Sequence, residues 1–506
     1  MSGRLHKSIL NAEVNLAFYF IALFVSFFSR KIFLDNLGAD FIGLTGTLGN
    51  ILGYLNLAEL GIGSCISIFL YKPLQTGDKK SINEIISIFG YLYRQIGLII
   101  LSLGIIISIF FPLIFKNEDL GYGIIYFAFY SFLGSSLIGY FINYKQILLS
   151  ADQKNYIVSG YFQTAGIVKS IIQILLAYYY CNYYFWVAIE FIFGLICCII
   201  LNWRIRKEYP WLKSNKSKGN GLLKKYPKIL TNTRQIFIHS IKDFLLNKSD
   251  ELFVYIFVSL QMVAYYGNYI IITTKITQLF TRAQDGIGAS VGNLISENNK
   301  NNIIRIFWEI MSAKYMTAGF LCFSTYHFTE PFINVWLGKE YILSHNILIL
   351  LVIYIYISNT RGAVDMYNHA YGLYADTWSA WTELIINICI TIIFGIKYGI
   401  IGLLLGKIIS TGIIVIFWKP YYLFSKGLHL PYSYYWKGVI RYHFALAISF
   451  IAASYLITKI PIVASIGYFS WAIYCTVSIV IFLSLLLTTF YFTTFGTIDL
   501  IKRIKK

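Results

Sequence analysis

The sequence predicts an all-α, polytopic membrane protein of about fourteen transmembrane helices. They form two pseudo-symmetric six-helix lobes plus a C-terminal helix pair. Three observations predict it. Hydrophobic residues make up 57% of the 506-residue chain and charged residues only 13%, against about 25% charged in an average soluble protein. Apolar runs recur at the length a bilayer core demands, roughly 20 residues. Lys and Arg fall overwhelmingly on one side of those runs. No single soluble core could bury this much apolar surface, and mean hydropathy is +0.64. The same composition excludes disordered, collagen-like, coiled-coil and disulfide-scaffold classes.

The apolar runs lie near residues 13–33, 42–70, 85–112, 122–144, 156–180, 184–203, 236–258, 266–294, 306–332, 346–367, 378–396, 399–418, 442–458 and 468–492. The first is long and lacks a small-residue cleavage site, so it reads as a retained helix rather than a signal peptide. Seven cysteines are present, nearly all within apolar runs and none as a CxxC pair. They read as small membrane-helix hydrophobes.

With the N-terminus in the cytoplasm, cytoplasmic segments hold 27 Lys and Arg and outer segments hold 6. That asymmetry places both termini on the cytoplasmic side of the membrane. It also explains the net charge of +19. The spans and the outer segments are each formally neutral, so the whole excess faces the anionic cytoplasmic leaflet. It is not a nucleic-acid signature.

The longest hydrophilic stretch, 204–234, is basic and carries two prolines. It divides an N-terminal lobe (1–203) from a C-terminal lobe (235–424), and 425–506 holds helices 13 and 14 with a basic tail. The halves echo each other. Residues 58–64 (AELGIGS) resemble 283–289 (AQDGIGA), Ala151-Asp152 resembles Ala375-Asp376, and Trp203-Arg204 resembles Trp418-Lys419. An even helix number per half makes such repeats parallel. Glu59, Gly61 and Gly63, with Gly286 and Gly288, read as a helix-packing motif.

Several spans carry one polar face at helical spacing. Helix 1 shows Asn15, Tyr19, Ser26 and Arg30. Helix 5 shows Gln163, Ser170 and Gln173 beside Lys169. Helix 7 shows His239, Asp243, Asn247 and Asp250. Helix 8 shows Lys275, Gln278, Arg282 and Asp285. Helix 10 shows Ser358, Arg361, Asp365 and Asn368. Polar groups in spans usually face a bundle interior or a water cavity, so a hydrophilic cavity between the lobes is expected. No filter-like loop marks a channel. No nucleotide, zinc-protease or nucleophile-elbow motif appears in a usable context, so no enzyme activity and no cofactor is expected. Transport would be driven by a H+ or Na+ gradient or by the substrate's own gradient.

Phrases at 28–44 (FSRKIFLDNLGADFIGL), 55–67 (LNLAELGIGSCIS), 247–253 (NKSDELF), 263–269 (VAYYGNY), 286–295 (GIGASVGNLI), 331–343 (PFINVWLGKEYIL), 361–387 (RGAVDMYNHAYGLYADTWSAWTELIIN) and 417–424 (FWKPYYLF) resemble Wzx-type polysaccharide flippases. These belong to the multidrug/oligosaccharidyl-lipid/polysaccharide exporter superfamily. The resemblance covers roughly residues 10–425. It implies alternating access by two lobes, with an undecaprenyl-pyrophosphate-linked oligosaccharide carried to the outer leaflet for capsule or O-antigen synthesis. Polysaccharide polymerase machinery would be a partner. The sister lipid II flippases carry helix-1 arginines, matched approximately by Arg30 and Lys31. They also place basic residues where this chain has Tyr54 and Leu55, a departure that argues against lipid II as cargo.

A pyrophosphate needs Arg or Lys donors. The expected anion and glycan contacts are Arg30, Lys31, Lys275, Gln278, Arg282 and Arg361. Asp250, Asp365 and Glu383 are the expected ion-coupling carboxylates, since burial can raise a carboxylate's pKa towards a useful range. A cation-coupled multidrug exporter is the alternative. A membrane polymerase or glycosyltransferase fits less well, because the outer loops are short.

Overall fold

A computed structural model describes residues 2–59, 62–116, 120–152, 154–230, 233, 249–284, 291, 294–295, 299–373 and 376–504. The described residues are almost entirely helical, and the chain divides into two compact units. The first is Met1–Tyr255 with Leu260–Ala264, and the second is Ile256–Ser259 with Tyr265–Lys506. Among the described residues, nine helices are long and apolar enough to cross a membrane.

The first unit opens with α1 (Ser2–Leu37) and α2 (Ala39–Leu55). The run expected as one helix over 42–70 is broken. It passes through a 3₁₀ turn at Asn56–Glu59 before α3 (Ile62–Thr76). α4 (Lys79–Ile109) starts cleanly, because the Asp78 carboxylate accepts hydrogen bonds from the backbone N–H groups of Lys80 and Ser81. Such a cap satisfies donors that a helix N-terminus otherwise leaves unpaired. α5 (Tyr122–Phe141) and α6 (Asn155–Tyr180) follow. α6 ends at Cys181, whose φ of 47° lies in the left-handed region. α7 (Tyr183–Glu208) is capped by Asn182 and runs past its predicted end at 203.

The basic stretch after α7 folds onto the first unit rather than hanging free. Lys213 N–H donates to Asn83 Oδ1 at 2.6 Å, and Asn215 N–H donates to Ser87 Oγ at 2.9 Å. A short α8 (Gly219–Leu223) lies directly on α4. A Cβ on Gly219 would sit 2.3 Å from Tyr91 Cβ, so only glycine permits that approach. The described part of the seventh predicted helix is α9 (Asp250–Phe257).

The second unit contains most of α10 (Leu260–Gln284), then α11 (Lys300–Trp336), α12 (His345–Thr360), α13 (Gly362–Ala370), α14 (Thr377–Tyr398) and α15 (Ile400–Thr411). The helix expected over 346–367 is divided at Arg361. α15 continues through two π-helical stretches, Gly412–Trp418 and Leu423–Gly427, around Pro420. π-turns of this kind concentrate at functional sites. α16 (Tyr432–Ile457) and α17 (Tyr468–Thr493) complete the expected C-terminal pair, and α18 (Thr497–Ile504) ends the described chain.

α16 and α17 pack on α11 through an aromatic core of Phe323, Tyr442, Phe482 and Phe490. Phe323 stacks on Phe482 with ring centroids 4.1 Å apart. Their outer faces show Phe444, Ile451, Phe469 and Phe492 largely uncovered, which is the pattern of a lipid-facing surface.

Candidate functional site

The second unit gathers charge around the break between α12 and α13. Arg361 sits at that break, and its Nε donates to Asp365 Oδ2 at 2.5 Å. The i,i+4 spacing puts the two on one helix face. Glu383 and Tyr354 lie within electrostatic reach of the guanidinium. Glu383 on α14 is buried, and Lys407 on the adjacent α15 is buried with its Nζ 5.0 Å from the Tyr354 ring centroid. Lys314 of α11 reaches the same break. A Cβ on Gly362 would lie 2.8 Å from Lys314 Cε, so that glycine makes room for the lysine. Among the described residues of the second unit, three cations, Lys314, Arg361 and Lys407, thus gather near two carboxylates, Asp365 and Glu383. Lys314 and Lys407 were visible only as isolated charges in apolar runs.

α14 can bring Glu383 this close to α15 because the two helices touch backbone to backbone. A Cβ on Gly402 would sit 2.2 Å from the Phe394 carbonyl carbon. One on Gly406 would sit 2.2 Å from Thr391 Oγ1. This is a small-xxx-small crossing. At Gly63, by contrast, an added Cβ would meet nothing nearer than Tyr93 OH at 3.8 Å. Gly61, Gly286 and Gly288 lie outside the described residues.

The first unit holds three polar clusters. In the first, Arg30 Nη2 donates to the Ala264 carbonyl at 2.9 Å, and Lys31 follows it, half-buried. Asp250 starts α9 beside Tyr54. Its neighbour Glu251 accepts a hydrogen bond from Asn50 Nδ2 at 2.5 Å. In the second, the polar face of the fifth predicted helix meets Glu190 of α7. Lys169 Nζ lies 2.5 Å from Oε1 and Gln173 Nε2 donates to Oε2 at 3.1 Å. In the third, Glu59 accepts hydrogen bonds from the Tyr93 and Tyr140 hydroxyls, the latter at 2.6 Å.

Lys275 and Gln278 share α10, the lysine half-buried and the glutamine exposed. Arg282 belongs to the same helix, but its side chain lies outside the described residues. So do Asp285, His239, Asp243 and Asn247, and the side chains of Asn15 and Tyr19.

The first unit also carries a basic cluster, most of it outside the spans. Lys145 and Lys216 both approach the Tyr144 ring, with Nζ at 5.9 and 4.6 Å from its centroid. Lys216 also donates to the Phe141 carbonyl. Burial, then Arg206, pulls the Lys145 pKa below the ordinary lysine value. Burial, then Lys145 and Arg94, does the same to Lys216. None of these four cations has an ion-pair partner among the described residues.

The repeated Asp motif does the same work in both units. Asp152 contacts Lys154 at 2.7 Å and accepts the Tyr209 hydroxyl at 2.8 Å. Asp376 contacts Lys419 at 2.7 Å and accepts the Trp418 indole N–H at 3.0 Å. In each unit an aspartate after the fourth helix ties down the end of the sixth.

The fold is one shared with solved multi-pass membrane proteins. The chain is similar to the lipid II flippase MurJ in an inward closed conformation, at TM-score 0.64 and 17% identity. That match covers 96% of this chain and 99% of the other. It is also similar to an inward-facing multidrug resistance MATE family transporter of the MOP superfamily, at TM-score 0.55 and 15% identity, covering 81% and 97%. No family model and no curated protein matches the sequence.

Proposed function

We propose that the protein flips undecaprenyl-pyrophosphate-linked oligosaccharide repeat units from the cytoplasmic to the outer leaflet of a bacterial inner membrane. It works by alternating access and feeds polysaccharide polymerase machinery. The observation that carries this reading is the excess of cations over carboxylates at two polar clusters. In the first unit Lys145 and Lys216 flank Tyr144, with Arg206 and Arg94 in electrostatic reach of them, and none of the four has an ion pair among the described residues. Three cations face two carboxylates in the second. A pyrophosphate headgroup matches that excess through charge-assisted hydrogen bonds, whereas a cationic drug does not. Half-buried lysines with depressed pKa values are stabilised when an anion arrives.

The cytoplasmic basic cluster would receive the headgroup, and Arg361 with Lys314 and Lys407 would hold it within the membrane. Arg30, Lys31, Lys275, Gln278 and Arg282 are further contacts in this reading, and aromatic side chains would supply sugar platforms. Likeness to the MurJ fold supports flipping of a lipid-linked molecule. Tyr54 and Leu55 argue for a cargo other than lipid II. Deletion of the gene, with isotopic labelling of the prenyl-linked pool, tests the proposal. It predicts accumulation of a complete repeat unit on the cytoplasmic face. An unchanged pool with new sensitivity to cationic drugs would establish the multidrug exporter instead.

A further inference from the structure

α16 carries one uncovered stripe along its length. Steps of four and three residues keep Lys437, Arg441, Phe444, Ile448, Ile451 and Tyr455 on one helix face, and all six are exposed. Phe444, Ile451 and Tyr455 stand out at 65%, 69% and 64%, so the described chain leaves this face open. The opposite face, with Tyr442 and Ala445, is the one that joins the aromatic core of the second unit.

Two cations close one end of the stripe. Neither Lys437 nor Arg441 has an ion-pair partner among the described residues, whereas Arg305 and Arg503 share Glu309. Arg441 is held in place by a second element. Its guanidinium carbon lies 4.4 Å from the ring centroid of Phe495, just after α17. Phe495 is fixed in turn. Its carbonyl accepts the Tyr442 hydroxyl, which also reaches the Trp308 carbonyl at 3.1 Å. The next residue, Gly496, lies so close to the Trp308 backbone that an added Cβ would sit 2.3 Å from the carbonyl carbon. A ring against one face of a guanidinium leaves its edge N–H donors open, and that planar fork meets a phosphate with paired hydrogen bonds.

The dimensions match a lipid. One leaflet is half of a hydrocarbon core of about 30 Å. At about 1.5 Å per residue, that depth carries the stripe from Arg441 to Ile451. Phe492 of α17, 78% exposed, adds apolar surface one turn before Phe495.

We propose that this stripe binds an anionic phospholipid. Arg441 and Lys437 take the phosphodiester, and Phe444, Ile448, Ile451 and Phe492 line the path of an acyl chain. Two exposed cations suit the single charge of a phosphodiester. A lipid bound here bridges α16 to the segment after α17 and steadies the packing of both on α11. The site stands independently of the transported cargo.

The test titrates full-length protein in one detergent with phosphatidylglycerol and, separately, with phosphatidylcholine of the same acyl chains. The thermal midpoint should rise and saturate with phosphatidylglycerol, because a ligand that binds only the folded state stabilises it by mass action. Phosphatidylcholine, with no net charge, should need a roughly tenfold higher concentration. Arg441→Gln should raise the half-saturating phosphatidylglycerol concentration roughly tenfold, the worth of one charge-assisted hydrogen bond at an exposed site. Phe495→Leu, which keeps an apolar contact and removes the ring, should raise it several-fold. Equal responses to the two lipids would mark an ordinary lipid-facing surface and overturn the proposal. Unchanged half-saturation in Arg441→Gln overturns it as well, as does an equal rise with glycerol phosphate alone. Tighter half-saturation by undecaprenyl phosphate would assign the stripe to the cargo and overturn it too. Should Arg441→Gln fail to fold, Lys437→Gln is read in the same way.

Discussion

Arg361 offers the sharpest test of what the charges of the second unit are for. Its guanidinium is 2.5 Å from Asp365, and both side chains are partly exposed, at 29% and 25%. Two roles are open to such a pair. As a structural ion pair, each charge exists to neutralise the other. As part of an anion site, Arg361 keeps donors for a phosphate while Asp365 fixes its rotamer. Arg361→Gln turns three cations against two carboxylates into two against two, so the surplus positive charge disappears. A charge-assisted hydrogen bond is worth about 1.5–3 kcal/mol. Partial exposure favours the lower end of that range, which is roughly a tenfold loss of transport. The roles separate in a double-mutant cycle. If the pair is structural, Arg361→Gln with Asp365→Asn restores function, since no unpaired charge remains. If Arg361 binds the anion, the double variant stays at least as impaired as the single one. The assay is surface polysaccharide per unit of membrane-inserted protein, with the prenyl-linked pool measured in parallel. Wild-type export by the double variant would refute the anion-site reasoning.

Further outcomes follow from the geometry. Gly402→Ala places a Cβ against backbone that cannot move aside and should destabilise by about 1–3 kcal/mol. Gly412→Ala, with nothing within 4 Å of the new Cβ, should leave the thermal midpoint unchanged. Asp376 is held below the usual carboxylate range, since its bonds to Lys419, Trp418 and Ser379 outweigh burial. A depressed carboxylate stabilises the fold above its unfolded pKa and loses that contribution in acid, so stability should fall below about pH 4. Asp376→Asn should be less stable at neutral pH and should lose that acid-dependent component in thermal melts. Lys145→Gln removes like-charge repulsion on Lys216. It should leave stability unchanged or raised while slowing export several-fold in the same polysaccharide assay.

The all-α membrane-spanning class and the C-terminal helix pair were legible because twenty-residue apolar runs are a strong one-dimensional signal. The break in helix 2 was harder to read. Asn56 and Glu59 sit in an apolar run whose hydropathy carries it straight through. Their side chains bond Tyr93, Ser136 and Tyr140 on other helices, contacts that no local pattern encodes. The tight crossing of α14 and α15 was visible in the sequence as Gly402-x-x-x-Gly406, a spacing outweighed by the repeated Gly-Ile-Gly. The basic stretch after α7 looked like a solvated linker because composition cannot show that Asn83, Ser87 and Tyr91 on α4 are shaped to receive it. Arg361 and Asp365 were readable from i,i+4 spacing alone. Lys314 and Lys407 reach the same region from other helices, which no local pattern encodes.

The central claim is that this fold moves a lipid-linked anion rather than a soluble cation. Purified protein reconstituted into liposomes carrying a short-chain undecaprenyl-pyrophosphate-linked oligosaccharide in the inner leaflet tests it directly. The readout is accessibility of the glycan to an external glycosidase. Protein-dependent exposure is expected, falling roughly tenfold in Arg361→Gln. Exposure no faster than in protein-free liposomes, alongside efflux of an organic cation by the same preparation, would contradict it.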